Sequence, residues 1–173
     1  DCAVDHYVSK LIRTWTASDH CGNVTTVFEQ VITFLDTQAP SWSTAAEDLD
    51  VTVECSDANA LAAAQAMFPE ADDVCDGDVS DIVKISGDFV PGGSCANEGT
   101  YTNTWTVTDD CGNVSEVFTQ VITITDDTPP TWVSAAGSLD ATVECSDAAG
   151  LAAAQAMFPM ASDLCDGDVS NIE

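Results

Sequence analysis

The chain has 173 residues, of which 30 are acidic and 3 are basic, so its formal net charge is −27 at pH 7. Nucleic acids and anionic membranes attract basic surfaces, so this charge excludes nucleic acid as a partner. Because 45% of the residues are hydrophobic, the chain has enough apolar side chains to fold, unlike an acidic disordered tail. It lacks an apolar run of about 18 residues, the length that spans a bilayer, so we predict no membrane insertion.

The sequence repeats itself at an offset of 90 residues. Residues 36–83 and 126–173 share 32 identities in 48 positions, and the motif DHCGN at 19–23 recurs as DDCGN at 109–113. A period of this length predicts an array of small domains and not a short-repeat solenoid.

The phase of the repeat follows from two proline-bearing segments, residues 36–40 and 126–130, which are typical of domain junctions. We expect residues 36–126 to form one complete repeat. Residues 1–35 are then the C-terminal half of a preceding repeat, and residues 127–173 are the N-terminal half of a following one. This phase also predicts that the full gene encodes many more copies.

Strands dominate the predicted secondary structure of the complete repeat. Residues 51–53 and 79–85 are short strand-like runs, whereas residues 100–108 and 118–125 alternate with a period of two, as half-buried strands do. The turn between the last two predicts a hairpin, in which Trp105 and its copy Trp15 take core positions. Several short strands and one buried tryptophan in about 90 residues indicate an immunoglobulin-like β-sandwich. The predicted fold class is therefore mostly β, as tandem immunoglobulin-like β-sandwich repeats.

One alanine-rich segment, residues 58–68, is predicted to be a helix. Alanine is the best helix former, Ser56 or Asp57 can cap the N-terminus, and Pro69 ends the helix. Leu61 and Phe68 share a face, and we expect them to dock on the sandwich. The alternative is that this helix is a contact surface for a neighbouring chain.

The eight cysteines show no C-x-x-C spacing and are accompanied by only two histidines, which favours disulfides over zinc. Disulfides form in oxidising compartments, so we expect an exported protein on the cell surface. Each repeat is predicted to hold two bridges that close loops of roughly 15 to 20 residues. A Cys55–Cys95 bond stays open as an alternative. The predicted pairs are Cys55–Cys75, Cys95–Cys111 and, by analogy, Cys2–Cys21 and Cys145–Cys165.

Three motifs resemble the HYR-like (hyalin-repeat-like) immunoglobulin-fold domain: WTVTDDCGN at 105–113, DDTPP at 126–130 and DVCDGDV at 73–79. The alanine-rich helix departs from the short loop expected there. The resemblance implies a very large surface protein of gliding, Bacteroidetes-type bacteria, often exported by the type IX pathway. It implies an extracellular adhesive or stalk role and no catalytic residues.

Clustered aspartates suggest a calcium site. Calcium takes roughly six to eight oxygen ligands, which closely spaced carboxylates in loops can supply, although the spacing does not fit an EF-hand loop. Calcium is the only cofactor that the sequence indicates. The alternative is that these aspartates are turn and cap residues whose charge solvates a fibre. The candidate ligands are Asp73, Asp76, Asp78, Asp109, Asp110, Asp126, Asp127, Asp163, Asp166 and Asp168.

The sequence carries no nucleophile elbow, phosphate loop or metal-binding histidine pair. Its paired carboxylates recur every 90 residues, and catalytic sites are seldom tiled along an array, so we predict that the chain is not an enzyme. The predicted function is a structural stalk or fibre-forming region of an exported bacterial surface adhesin, which spaces or presents a distal binding element.

The expected partners are other copies of the same repeat along the chain. We also expect lateral self-association into a multi-chain fibre where cations bridge the negative charges. The alternative function is that the repeats themselves bind glycans or a cell surface through the threonine row at 100–108. That row shrinks in the first copy to Thr14, Thr16 and Ser18, because Lys10 and Ile12 occupy the positions of Thr100 and Thr102.

Overall fold

A computed structural model describes residues 2, 7–76, 79–92, 95–169 and 171–173. The described chain is mostly β with two short helices, and its sheets do not close into a barrel. In chain order the elements are β1 Tyr7–Trp15, β2 Phe28–Leu35, β3 Ser41–Trp42, β4 Val51–Glu54, α1 Ala58–Gln65, β5 Ala71–Asp72, β6 Ile82–Ser86, β7 Val90–Pro91, β8 Gly99–Val107, β9 Phe118–Thr125, β10 Thr131–Trp132, α2 Ala148–Gln155, β11 Ala161–Asp163 and β12 Gly167–Val169.

The largest sheet has the strand order β4-β9-β8-β6, and β7 pairs with β8. Strand β4 runs parallel to β9, with Val53 opposite Ile124, whereas β6 runs antiparallel to β8, with Ile82 opposite Val107. The neighbouring positions of β8 and β9 confirm the predicted strand pair. Strands β1 and β2 form an antiparallel ribbon, β3 pairs with β5, and β10, β11 and β12 form a third small sheet.

The chain divides into two compact units. The first unit comprises residues 1–50, 67–88 and 102–121, and the second comprises residues 51–66, 89–101 and 122–173. The repeat boundaries at residues 35/36 and 126/127 stay predictions.

The core of the first unit is built on Trp105, which is 1% exposed. Its ring packs edge-on against Phe68 and Phe118, with centroid distances of 6.0 Å in both cases. The Lys84 ammonium lies 5.1 Å from the centre of the Trp105 ring, and its desolvation lowers the pKa of Lys84. This burial confirms the core position that the alternation predicted for Trp105.

A buried polar pair accompanies this tryptophan. The Asn103 Nδ2 donates to Gln120 Oε1 at 2.9 Å, and the Gln120 Nε2 donates to the carbonyl of Leu49 at 2.7 Å. Both side chains are fully buried, so these bonds offset the cost of removing two amides from water.

The core of the second unit joins helix α1 to strands β4 and β9. Val53, Ala64, Ile122 and Ile124 are buried, and Leu61 packs against them, so the docking predicted for Leu61 is confirmed. Asp57 caps α1, because its Oδ1 accepts from the backbone N–H of Ala60 at 2.9 Å.

Helix α1 ends at Gln65, three residues before the predicted end at Phe68. Pro69 disfavours helical backbone at the residue before it, so Phe68 leaves the helix. The Phe68 side chain remains 53% exposed and contacts Trp105 of the first unit through its ring edge.

The β1–β2 ribbon has the sequence pattern of β8 and β9, but its apolar side chains are exposed. Trp15 is 41% exposed and contacts only one aromatic ring in the described chain, that of Phe28 at 5.9 Å. The prediction that Trp15 is buried is therefore wrong. Sequence parity places a side chain on one face of a strand, but a second layer has to cover that face to bury it.

Two disulfides are present, Cys2–Cys111 and Cys55–Cys165, with sequence separations of 109 and 110 residues. The remaining four cysteines, which we call the four free cysteines, are Cys21, Cys75, Cys95 and Cys145.

The predicted pairing within each repeat is wrong, and so is the open alternative of a Cys55–Cys95 bond. Cys55 and Cys75 belong to different compact units, and so do Cys95 and Cys111. The short-loop argument considered only the entropy of loop closure, whereas a bond requires that two sulfurs meet in the folded chain. Cys21 and Cys145 lose their predicted partners to bonds with more distant cysteines.

Candidate functional site

The DxCGN motif forms the same turn in both of its copies. In the second copy Asp109 Oδ1 accepts from the backbone N–H groups of Cys111 and Asn113 at 2.9 and 2.8 Å, and Asp109 Oδ2 accepts from Asn113 Nδ2 at 2.8 Å. Gly112 adopts φ +83°, a conformation that glycine reaches without strain. Both oxygens of Asp109 are therefore engaged in holding the turn.

Asp19 makes the corresponding bonds in the first copy. Its Oδ2 accepts from the Asn23 side-chain amide at 2.7 Å, and its Oδ1 accepts from the backbone N–H groups of Cys21 and Asn23. The side-chain bond from Asn23, followed by the backbone bonds, lowers the pKa of Asp19. Asp19 is therefore a turn residue, as its copy Asp109 is.

Asp73 and its copy Asp163 organise a second recurring turn. Asp73 Oδ1 accepts from the backbone N–H groups of Cys75 and Asp76 at 2.8 and 3.0 Å. Asp163 Oδ1 accepts from the N–H groups 2 and 3 residues after it, at 2.7 and 3.2 Å. Each turn uses one carboxylate oxygen and presents a cysteine beside an acidic group.

The first acidic site lies at Asp36, in the first unit. Asp36 is 1% exposed; its Oδ1 accepts from the N–H of Gln38 at 3.1 Å, whereas its Oδ2 is buried without a hydrogen-bond partner in the described chain. One ligand atom from each of Asp36, Asp73 and Cys75 lies within 4.8 Å of the others. A buried carboxylate oxygen without a donor is costly unless a cation or a proton compensates it.

The surroundings of this site change the pKa of the Cys75 thiol. Desolvation, followed by the negative charges of Asp36, Asp73 and Asp109, raises the pKa of the Cys75 thiol. The neighbouring Asp76 Oδ2 accepts from the backbone N–H of Asp110 at 3.0 Å, so the turn after β5 is held against the DxCGN turn.

The second acidic site lies at Asp126, the copy of Asp36, in the second unit. Desolvation, followed by the charges of Asp163, Glu54 and Asp166, raises the pKa of Asp126. Asp126, Asp163 and Asp166 line an open pocket of about 600 Å³ together with Asp127. The raised pKa shows that ionised Asp126 is disfavoured by its surroundings, which a bound cation would reverse.

Glu54 closes this second site on one side. Its Oε2 accepts from the backbone N–H of Asp127 at 3.1 Å, and its Oε1 accepts from the Thr128 hydroxyl at 3.1 Å. One ligand atom from each of Glu54, Cys55, Asp126 and Cys165 lies within 4.8 Å of the others. The two sulfurs form a disulfide, so the carboxylates are the groups of this set that can bind a hard cation.

The structure brings the predicted ligands together in part. Asp126, Asp163 and Asp166 share the second site, and Asp73 contributes to the first. Asp109 is a turn residue, Asp110 engages Asp76 through its backbone, and the exposed Asp127 lines the pocket. Asp78 lies outside the described residues, and of Asp168 only the backbone, in β12, is described.

Sequence reasoning missed Asp36 and Glu54. Asp36 is the copy of Asp126 at the 90-residue offset, and that correspondence was the signal that could have identified it. Glu54 recurs as Glu144, but its approach to Asp127 depends on tertiary structure.

Neither helix in the described part of the chain has the length and apolar character that crossing a bilayer requires. Residues 43–124 match the family model of the HYR-like domain with 4 cysteines. The comparisons with curated proteins and with solved structures gave no significant match.

Proposed function

We propose that the chain is part of a mechanical stalk, because residues 43–124 match the family model of HYR-like domains with four cysteines, an extracellular, adhesion-type repeat module. In this proposal an exported bacterial surface adhesin uses a tandem array of immunoglobulin-like repeats to space or present a distal binding element. The complete repeat is residues 36–126. No catalytic role is assigned to it.

The disulfide pattern carries this proposal. The two bridges join cysteines 109 and 110 residues apart, and both separations exceed the 90-residue offset of the sequence repeat. A disulfide whose sequence separation exceeds the repeat offset joins a segment of one repeat to a segment of the next. Pulling on the array then loads covalent bonds, which is the property that a stalk needs.

The rival function, direct glycan binding through the threonine row, has weaker support. Thr104 and Thr106 of β8 are half-buried, because β6 pairs alongside them. A flat recognition surface keeps its side chains accessible and repeated, but the first copy keeps only Thr14 and Thr16 of the row and has Lys10 and Ile12 at the positions of Thr100 and Thr102.

We expect the bridges to shorten the extensible length of the chain in single-molecule pulling. In the oxidised chain the shortest covalent path from Cys2 to Cys165 follows residues 2–55 and then crosses the Cys55–Cys165 bond. Reduction restores the path through residues 2–165, which adds roughly 370 Å of contour length at about 3.3–3.6 Å per residue. Force-extension curves with and without a reducing agent measure this difference.

A Cys145→Ser variant is the matched control for pulling, because it removes an exposed free cysteine and should leave the contour length unchanged. Equal lengths in the oxidised and reduced states would remove the support for the stalk. A glycan array tests the rival directly. Specific binding that a Thr102→Ala variant abolishes would favour an adhesin module over a stalk.

We also propose that calcium stiffens the array at the Asp36 and Asp126 sites. The buried, unpartnered Oδ2 of Asp36 and the raised pKa of Asp126 both describe carboxylates whose surroundings lack positive charge. Calcium prefers carboxylate and carbonyl oxygens, and extracellular modules bind it with dissociation constants of about 10⁻⁴ to 10⁻³ M.

We expect about 10 mM calcium to raise the melting temperature by roughly 3 to 10 °C for each site that it occupies. Ligand at 10 to 100 times its dissociation constant contributes about 1.4 to 2.7 kcal/mol per site, and about 1 kcal/mol shifts the melting temperature of a chain this long by 2 to 4 °C. Thermal melts in calcium and in chelator measure the shift.

Asp36→Asn should remove part of the calcium response, whereas Asp88→Asn, at an exposed aspartate outside the site, should keep all of it. Identical melting in calcium and chelator would end the calcium proposal and leave the stalk proposal intact.

A further inference from the structure

The cysteines of the chain fall into four types according to their place in the repeat. One type precedes the helix (Cys55 and Cys145), and one follows it (Cys75 and Cys165). A third precedes the first long strand, where Cys2 precedes β1 and Cys95 precedes β8. The fourth lies in the DxCGN turn, at Cys21 and Cys111.

Both observed bonds join one copy to the next in a fixed combination of types. Cys55, before the helix of one copy, bonds Cys165, after the helix of the next. Cys2, before the long strand of one copy, bonds Cys111 in the turn of the next. Neither bond closes within its own copy.

This rule accounts for each of the four free cysteines. Cys95 requires the turn cysteine of the copy that follows its own, and Cys145 requires the post-helix cysteine of the copy that follows its own. Cys21 requires the pre-strand cysteine of the preceding copy, and Cys75 requires the pre-helix cysteine of the preceding copy. None of these four partner positions falls within residues 1–173. We therefore propose that the four free cysteines are half-bridges, which form disulfides with neighbouring copies of the repeat on the same chain.

The surroundings of Cys95 support the assignment. Its Sγ lies within 4.8 Å of ligand atoms of Asp126 and Asp166, and the Asn97 side-chain amide donates to Asp166 Oδ1 at 2.7 Å. Asp166 follows Cys165, the copy-to-copy bridge. Cys95 therefore lies beside the following copy, where its assigned partner would be.

The position of the assigned partner follows from the complete repeat. Asp110, adjacent to Cys111, donates its backbone N–H to Asp76 at 3.0 Å, and Asp166 is the copy of Asp76. The next DxCGN turn would make the same contact with Asp166 and bring its cysteine towards Cys95. By the same correspondence, each junction between copies would hold two bridges.

Bond formation requires an oxidant, for which a small-molecule disulfide such as oxidised glutathione suffices. The Cys95 thiolate attacks one sulfur of this disulfide and releases one thiol. The partner thiolate then attacks the Cys95 sulfur and releases the second thiol. Two protein thiols lose two protons and two electrons in total, and the oxidant is reduced to two thiols.

The test appends a second copy of residues 84–173 after Glu173 and maps the disulfides by alkylation and peptide mass spectrometry under non-reducing conditions. We expect Cys95 to bond the appended copy of Cys111, and Cys145 to bond the appended copy of Cys165. The number of alkylated thiols should stay at four, because two thiols are consumed and two new ones are added.

The control chain carries serine at the appended copies of Cys111 and Cys165, and there Cys95 and Cys145 should remain alkylated. Circular dichroism of both chains verifies that they fold, and a Cys95→Ser variant of the extended chain should expose one additional thiol, in the appended DxCGN turn. Bonds within one copy, such as Cys95–Cys111, would overturn the proposal. So would covalent dimers on a non-reducing gel, or extended chains in which Cys95 and Cys145 both stay reduced.

Discussion

Replacing Cys165 by serine should lower the free energy of unfolding by about 4 to 5 kcal/mol. The Cys55–Cys165 bond closes a loop of 110 residues, and in the chain-entropy model a loop of this length contributes about 4.7 kcal/mol by restricting the unfolded chain. For a chain of this size the loss corresponds to a melting temperature lower by roughly 10 to 20 °C. Urea unfolding followed by far-UV circular dichroism, under non-reducing conditions, measures the difference.

Two serine variants make this result specific to the observed pairing. Cys145→Ser removes an exposed free cysteine and should change stability by less than about 0.5 kcal/mol. Cys75→Ser should be equally mild, because Cys75 is also free and exposed. If Cys75→Ser were destabilising and Cys165→Ser neutral, the bond would instead lie within one repeat.

Strands β8 and β9 could be predicted from sequence because their determinants are local. The period-two alternation of residues 100–108 and 118–125 placed Trp105 and Gln120 on the buried face, and the structure buries both. A cap at Ser56 or Asp57 was equally visible, since an N-cap depends on a few adjacent residues, and the structure places it at Asp57. Helix α1 ended early because of the restriction that Pro69 imposes on Phe68, which is also a local rule.

The disulfides could not be predicted in the same way, because they depend on which segments share a compact unit. Cys55 lies 20 residues from Cys75 in sequence but bonds Cys165. Proximity in sequence favours short loops entropically, yet the fold brings together segments that are a full repeat apart. The regular copy-to-copy pattern became visible only once two bonds were known.

The acidic sites could be predicted from sequence in part, because some of their determinants are local and others depend on tertiary structure. The turns at Asp109 and Asp73 follow from the preference of aspartate for accepting nearby backbone N–H groups, and sequence reasoning weighed that role as the alternative to calcium. The burial of Asp36 and the approach of Glu54 to Asp127 are tertiary features. The burial of Asp36 is therefore the feature that makes the first acidic site a candidate cation site and not only a group of turn aspartates.

Replacing Trp105 by alanine should cost about 3 to 5 kcal/mol of stability. The ring is 1% exposed and packs between Phe68 and Phe118, so truncation removes a large buried surface and leaves a cavity that the two remaining rings cannot fill. The Lys84 ammonium would also lose the ring face it lies over, a contact worth about 0.5 to 1 kcal/mol. Urea unfolding followed by circular dichroism measures the loss independently of tryptophan fluorescence.

Trp15 supplies the matched control, because it occupies the corresponding position of the first copy but is 41% exposed. Trp15→Ala should cost less than about 1 kcal/mol, since its ring already meets solvent and, among aromatic and cationic side chains in the described residues, contacts Phe28 and Arg13. Equal losses for the two variants would show that the β1–β2 ribbon is covered in solution as β8 and β9 are. The difference between the stability losses of Trp105→Ala and Trp15→Ala thus measures how much of a repeat's stability comes from the layer that covers its long strands.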